Sequence, residues 1–440
     1  MSRRSCSIQY ERRHRACRPS GQYGSDDGGP RNYLYSEPYS ETIGNGDNMT
    51  DEIFKHDGYT FEFEAHVVSV NGDEVILDCT AFYPGGGGQV CDTGSIRGHA
   101  VTEVFRRGDD IIHVVPGNDL SVDERIWCSV DWERRYELMQ GHTGEHLLFC
   151  SLKRQCEDLE ITKIFISPES KYVIVNHDLT WEQIEAAVEF ANQAIKDNHS
   201  VTKSYMDRDD PDLENVRIKL DRIPEGEQIS VVAIGDIDLS ACSGVHVMET
   251  SELEMLIVDR KVSAGKDGVT IQFKVGEQAK KEATKMAFNS LRMIDTLGCK
   301  AEDAERALLN LKQEAETSRK LLKDASKVML STIVPETVSG CAVHTAIVPG
   351  ADRNVLNDFA ETVRSSGGVA IIVSYSDSGS VMMASGDKRV DCKNAFAEVL
   401  PSFEGRGGGK PDFAQGGFKD PTKADEVLMA LKKWACDALL

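Results

Sequence analysis

At 440 residues the chain is long enough for several domains with cores of their own, and a composition of 40% hydrophobic and 28% charged residues is that of a globular protein. No apolar run approaches the length of a membrane-spanning helix, so the chain is not expected to enter a bilayer. The net charge of −22 argues against a uniformly basic nucleic-acid binder, yet the stretch from Gln278 to Leu330 holds eleven Lys and Arg against eight Asp and Glu, which permits a polyanionic partner.

Residues 1–48 carry seven Arg and no Lys, are rich in Ser, Gly and Tyr, and lack apolar periodicity, the pattern of a disordered leader. They contain no apolar segment of the secretory type, and their Arg- and Ser-rich composition is that of an organellar targeting peptide, a reading that the acids Glu11, Asp26 and Asp27 weaken. The ordered pattern begins just after Met49, as it would if the start were mis-assigned. Twelve cysteines without a CxxC pair suggest a reducing, cytoplasmic setting.

The rest reads as an α+β multidomain chain. Residues 49–135 show short β-type runs, including FEFEAHVVSV and EVILDCTAF around an Asn71-Gly72 turn, and predict a small β-barrel. Residues 136–275 predict an α/β-layered domain: a helix over 136–154, strands KIFIS and YVIV, a helix from Thr180 to Asn198 opened by a Thr180/Gln183 capping box, and further strands leading to SACSGVHV. Residues 276–334 predict a long helical hairpin broken at Gly298, with a seven-residue seam through Ala304, Leu308, Leu311, Ala315, Ser318, Leu322, Ala325 and Met329. Residues 335–440 predict a small C-terminal α/β domain in which EGRGGGKPDFAQGG is a loop before a terminal helix from Pro421.

Four residues form a candidate metal set. His142 and His146 in QGHTGEHLLFC are four apart on one helix face, and Cys242 and His246 in ACSGVHV have the same spacing. Imidazole and thiolate are the ligands zinc prefers. HTGEH also matches H-x-x-E-H, the zinc-peptidase helix in which Glu145 would be the general base, but that scheme needs a carboxylate as third ligand. In TAFYPGGGGQVCDTG, the consecutive Gly85, Gly86, Gly87 and Gly88 leave backbone N–H groups open to a ligand, or simply form a barrel loop.

FYPGGGGQ with its DTG, HTGEHLL, CSGVHV and GGGKPDFAQGG, in that order, resemble the freestanding alanyl-tRNA editing proteins in their long form, relatives of the editing and C-terminal domains of alanyl-tRNA synthetase. The likeness runs from about Met49 to the C-terminus. It implies a zinc editing domain with one Zn2+ per chain on His142, His146, Cys242 and His246. The family's usual Cys-Gly-Gly-Thr-His is Cys-Ser-Gly-Val-His here, so contacts made by the lost Thr hydroxyl do not carry over.

The resemblance further implies hydrolysis, in trans, of alanine tRNA, tRNA(Ala), carrying serine or glycine, with no aminoacylation domain in the chain. An alanine-charging site cannot strongly reject either amino acid, whereas a site that hydrogen-bonds a hydroxyl rejects its absence by roughly 10⁴ to 10⁵. Thr80 and Gln89 are the candidates to read the serine hydroxyl, the alternatives being a packed strand residue and a turn cap. Glu145 is the candidate acid/base, or else a solvated helix carboxylate. Arg406 and Lys410 are candidate phosphate contacts, extended by Lys280, Lys281 and Lys285. A homodimer through the hairpin or the C-terminal domain is the further expectation, and a tRNA-binding or dimerising protein with a purely structural zinc is the alternative function.

Overall fold

Strand β1 (Asp51–Glu52) and helix α1 (Ile53–His56) lead into a run of short strands, β2 (Glu62–Asn71), β3 (Glu74–Leu77), β4 (Cys79–Thr80), β5 (Gly94–Ile96), β6 (His99–Val101), β7 (Glu103–Arg107), β8 (Asp110–Val114) and β9 (Arg125–Val130), of which β4 pairs with β1. The structure, a computed structural model, describes residues 50–219, 226 and 228–440; the expected leader at 1–48 lies outside the described residues. Asn71-Gly72 makes the first hairpin, with Gly72 at φ +61°. The sheet runs β6-β5-β9-β2-β3-β8-β7, and Thr102 alone joins its two edge strands, so the sheet curls until they nearly meet. Phe63, Val67, Leu77, Phe82, Ile96, Ile111 and Cys128 fill the interior, as alternation along each strand requires.

A second layer packs beside this barrel. Helix α2 (Trp132–Lys153) begins four residues before the expected helix, because Asp131 accepts from the Arg134 amide and caps it. It lies on an antiparallel sheet of order β10-β11-β16-β15, made of β10 (Ile161–Ile166), β11 (Lys171–Val175), β15 (Leu256–Ser263) and β16 (Val269–Val275). Helix α3 (Trp181–Asp197) carries the expected Thr180/Gln183 capping box and ends at Asn198 in the left-handed region. A small antiparallel sheet, β12 (Val201–Met206), β13 (Ile229–Ile234) and β14 (Asp238–Ala241), completes the layer. Its core joins Leu147, Leu148, Phe149, Val173, Ile184, Val245 and Phe273.

The chain divides into two compact units between Asn289 and Ser290, inside helix α4 (Gly276–Leu297). In the second unit, α5 (Ala304–Ser331) leads to a six-stranded sheet of order β17-β18-β19-β20-β22-β21. Its strands are β17 (Glu336–Val338), β18 (Cys341–Ile347), β19 (Val369–Tyr375), β20 (Gly379–Ser385), β21 (Arg406–Lys410) and β22 (Phe413–Phe418). Helices α6 (Arg353–Ser365), α7 (Cys392–Val399) and α8 (Ala424–Leu439) cover it. Strand β19 sends Val369, Ile371 and Val373 to the core with α7 and α8, and Ala370 and Ile372 to the core with α6. Burial on both faces explains why its sequence is a continuous apolar run.

Two expectations need correction. GRGGGKPDFAQGG is not a loop but the hairpin β21–β22, paired from Arg406↔Gly417 to Lys410↔Phe413; glycines carry no alternation by which a strand can be read. The seam of α5 is not a packed core, since Leu308, Leu311, Leu322 and Met329 are exposed and only Leu330 and Ser326 near its end are buried. Among the described residues no helix is long and apolar enough to cross a membrane.

Candidate metal centre

Two surfaces with different periods meet at the centre. His142 and His146 share a face of α2, where both are buried, while Asp238, Ser240 and Cys242 alternate along β14 and its extension and so share one face of a strand. The loop after β14 is pinned by Cys242 N to Ser230 O at 2.9 Å and Ser230 Oγ to Cys242 O at 2.7 Å. His246 follows one short turn later. The Cys242 thiol lies 3.3 Å from Nε2 of His142 and 3.3 Å from Nε2 of His246, and the ligand atoms of His142, His146, Cys242 and His246 all lie within 4.8 Å of one another. A tetrahedron with zinc–sulfur bonds of about 2.3 Å and zinc–nitrogen bonds of about 2.0 Å has S···N edges of roughly 3.5 Å. This cluster could hold a metal ion.

Each imidazole is also held from behind. Nδ1 of His142 faces Gln89 Oε1 at 2.7 Å, Nδ1 of His146 faces Asp238 Oδ2 at 2.9 Å and Ser240 Oγ at 2.8 Å, and Nδ1 of His246 faces Thr143 Oγ1 at 3.1 Å. With every Nδ1 committed to an oxygen, Nε2 is the nitrogen left for a cation, the outer arrangement of metal-bound histidines. Close packing tightens it further: a Cβ on Gly244 would sit 2.2 Å from Cε1 of His142.

The electrostatics follow from burial and neighbours. Burial opposes the Cys242 thiolate, but the imidazoles of His142 and His246 outweigh it and hold the thiol well below its ordinary range. The amide of Gly244 adds an N–H to the sulfur at 3.4 Å. Burial drives His246 down to about 3, a neutral ring fit to ligate. Burial also works against a charge on His146, yet the Asp238 bond and the Cys242 thiolate carry it up to about 10, so a cation taken up here displaces a proton. Asp238 falls to about 2 despite its burial, because His146 and Arg217 both favour its charge.

The glycine segment serves this geometry. Gly85 to Gly88 all have positive φ, and a side chain on Gly88 would strike the Ile164 carbonyl at 2.7 Å. The loop closes on itself through Gly86 N to Gln89 O and Gln89 N to Gly86 O, and docks on β10 through Ile166 N to Gly88 O. Two of its amides are therefore internal, while the backbone at Gly86 and Gly87 is exposed. The loop delivers Gln89 to His142. Asp92, from the following DTG, fixes the loop to α2 through a fully buried ion pair with Arg135, which also donates to the Gly58 and Ala81 carbonyls.

The structure brings His142, His146, Cys242, His246, Gln89 and Glu145 together and leaves Thr80 elsewhere. Thr80 is fully buried in the barrel, its hydroxyl bonded to His113 Nε2 at 2.8 Å and accepting from the Phe82 amide, so its only proton has a partner already. Glu145 is not a solvated surface carboxylate: it is 1% exposed, neither oxygen has a hydrogen-bond partner, and Oε2 is 3.9 Å from Nε2 of His146. No carboxylate belongs to the metal-ligand cluster among the described residues, which removes the third ligand a peptidase of the H-x-x-E-H type requires. Arg406 and Lys410 are exposed on the edge strand β21 of the second unit. Sequence reasoning missed Asp238, Ser240, Thr143 and Arg135 as supports, although the alternation of Asp238, Ser240 and Cys242 was a usable signal.

Two family models match the chain, tRNA synthetases class II (A) over residues 32–134 and the DHHA1 domain over residues 340–437. An alanine–tRNA ligase of Ignicoccus hospitalis is 30% identical over 392 residues, covering 87% of this chain and 43% of that protein. One from Methanoregula boonei is 28% identical over 380 residues, covering 83% of this chain and 41% of that protein. The chain is related to the alanyl-tRNA synthetases. It spans less than half the length of these curated relatives. Among solved structures, the C-Ala domain of Aquifex aeolicus alanyl-tRNA synthetase is 27% identical and covers 24% of this chain and 99% of its own, with a TM-score of 0.22.

Proposed function

We propose that the chain hydrolyses, in trans, the ester of tRNA(Ala) charged with serine or glycine, using one zinc ion per chain on His142, His146, Cys242 and His246. The observation that carries this reading is the convergence of a thiolate and three imidazoles, each ring oriented from behind by an oxygen acceptor. That donor set suits zinc. When bound, the ion supplies positive charge that polarises or positions the ester.

The chain's own residues do the rest. Gln89 gives its oxygen to His142, and its Nε2 is buried without a partner, so this amide is the donor that meets a serine hydroxyl or an ester oxygen. Thr80, committed to His113, supports the barrel wall beneath the loop. Glu145 holds the attacking water or the substrate's ammonium group with its two unpartnered oxygens. The exposed backbone of the Gly85–Gly88 segment lets the RNA end approach closely. Arg406 and Lys410 contact RNA phosphates, and the open apolar face of α5 associates with a second copy of the chain. The setting is the cytoplasm.

A second reading rests on the same cluster, since four protein ligands are also the closed shell of a structural zinc; the protein would then bind tRNA without cleaving it. Incubating purified protein with seryl-, glycyl- and alanyl-tRNA(Ala) separates the two. Loss of the serine or glycine ester with alanine spared supports hydrolysis, and buffer-like loss of all three leaves only the second reading.

A further inference from the structure

Behind the metal centre lies a cleft of about 510 Å³. Its floor is Asp238, which holds His146 on one side and accepts from the Arg217 guanidinium at 3.1 and 3.3 Å on the other. Lys153 and Arg154, at the end of α2, stand on its wall with Arg217. Three cations thus face one carboxylate that is already shared between Arg217 and His146, in a chain whose net charge is −22.

The cations are posed by apolar contacts. The Arg217 guanidinium lies over the Phe149 ring at 4.9 Å, and its Nε is buried with no hydrogen-bond partner. Arg154 lies over the Phe190 ring at 4.3 Å. Lys153 gives one N–H to the Leu159 carbonyl at 3.2 Å, which leaves two of its three donors. Stacked guanidinium groups with free donors beside an ammonium are a phosphate-binding chemistry. Along α2, Lys153 is about 10 Å from His146 at 1.5 Å per residue, within reach of a few nucleotides of a strand whose end sits at the metal centre.

We propose that this cleft seats a phosphodiester of the RNA strand that enters the centre, with Lys153 and Arg154 as its electrostatic contacts and Arg217 as the group shared with Asp238. The proposal rests on the tRNA reading but not on hydrolysis. The probe is uncharged tRNA(Ala), titrated against the full chain at several salt concentrations, with the double variant Lys153→Gln/Arg154→Gln leaving Arg217 and Asp238 intact. The expected result is a loss of roughly tenfold or more in affinity and a salt slope smaller by about one, for the single phosphate no longer neutralised, with metal content unchanged.

Equal affinity and slope in the double variant and the parent overturn the proposal, as does a parent that binds no tRNA. Competition by millimolar inorganic phosphate together with unchanged tRNA affinity in the variant marks a small-anion site and also overturns it. A parent that binds tRNA through these residues yet cleaves no ester supports the cleft and defeats only the hydrolytic reading.

Discussion

Gln89 and His142 come from different layers, and their 2.7 Å contact between Oε1 and Nδ1 ties the glycine loop of the barrel to a ring of the candidate metal set on α2. A neutral imidazole that accepts a metal at Nε2 carries its proton on Nδ1, so it donates to Gln89 and fixes which end of the amide faces the substrate. Gln89→Leu is expected to weaken metal affinity by about 10- to 100-fold, read by competition with a chromophoric chelator. Unchanged affinity would show that the contact does not orient the ring.

Gly244 is expected to tolerate no side chain. A Cβ there would stand 2.2 Å from Cε1 and 2.4 Å from Nδ1 of His142, far inside van der Waals contact. Gly244→Ala should fold, because the clash is confined to one ring, and should bind substoichiometric zinc by elemental analysis. A full zinc complement in this variant would mean that the loop relaxes freely.

Arg135 and Asp92 are both 0% exposed. Removing one partner leaves a buried unpaired charge, a cost of about 3–5 kcal/mol, so Arg135→Met should lower the denaturation midpoint strongly. Arg135→Met with Asp92→Asn should recover part of that loss. If the double variant were as unstable as the sum of the two singles, the pair would not be coupled as the geometry requires.

His113 supplies a pH dependence. Burial lowers it from 6.5 to about 4, and it sits neutral between Thr80 Oγ1 and the Val75 carbonyl. The unfolded chain binds its proton first, so this contribution is complete above about pH 6.5 and is lost as pH falls towards 4, a change of about 3 kcal/mol. His113→Asn should flatten the stability curve between pH 6.5 and 4 in chemical denaturation. The same slope in both proteins would assign the acid sensitivity to other groups.

Periodicity revealed the elements whose faces differ. The capping box of α3, the Asn71-Gly72 hairpin and the shared helix face of His142 and His146 were legible because each depends on residues a few positions apart. The β21–β22 hairpin was not, since a run of glycines carries no alternation. The supports of the metal centre were hidden for another reason: Gln89 and His142 are 53 positions apart, Asp238 and His146 are 92 apart, and no local pattern encodes such contacts. For Glu145 the sequence left acid/base and solvated carboxylate both open, because charge predicts exposure, and only the packed fold encloses it. The apolar seam of α5 misled in the opposite sense, since a heptad pattern specifies a face and not the partner that covers it.

Zinc-edge X-ray absorption on the purified full chain tests the central claim most directly. One zinc per chain is expected, with one sulfur at about 2.3 Å and three nitrogens at about 2.0–2.1 Å, and the sulfur shell should vanish in Cys242→Ser. An oxygen-rich shell without sulfur, or a chain that takes up no zinc, would contradict it.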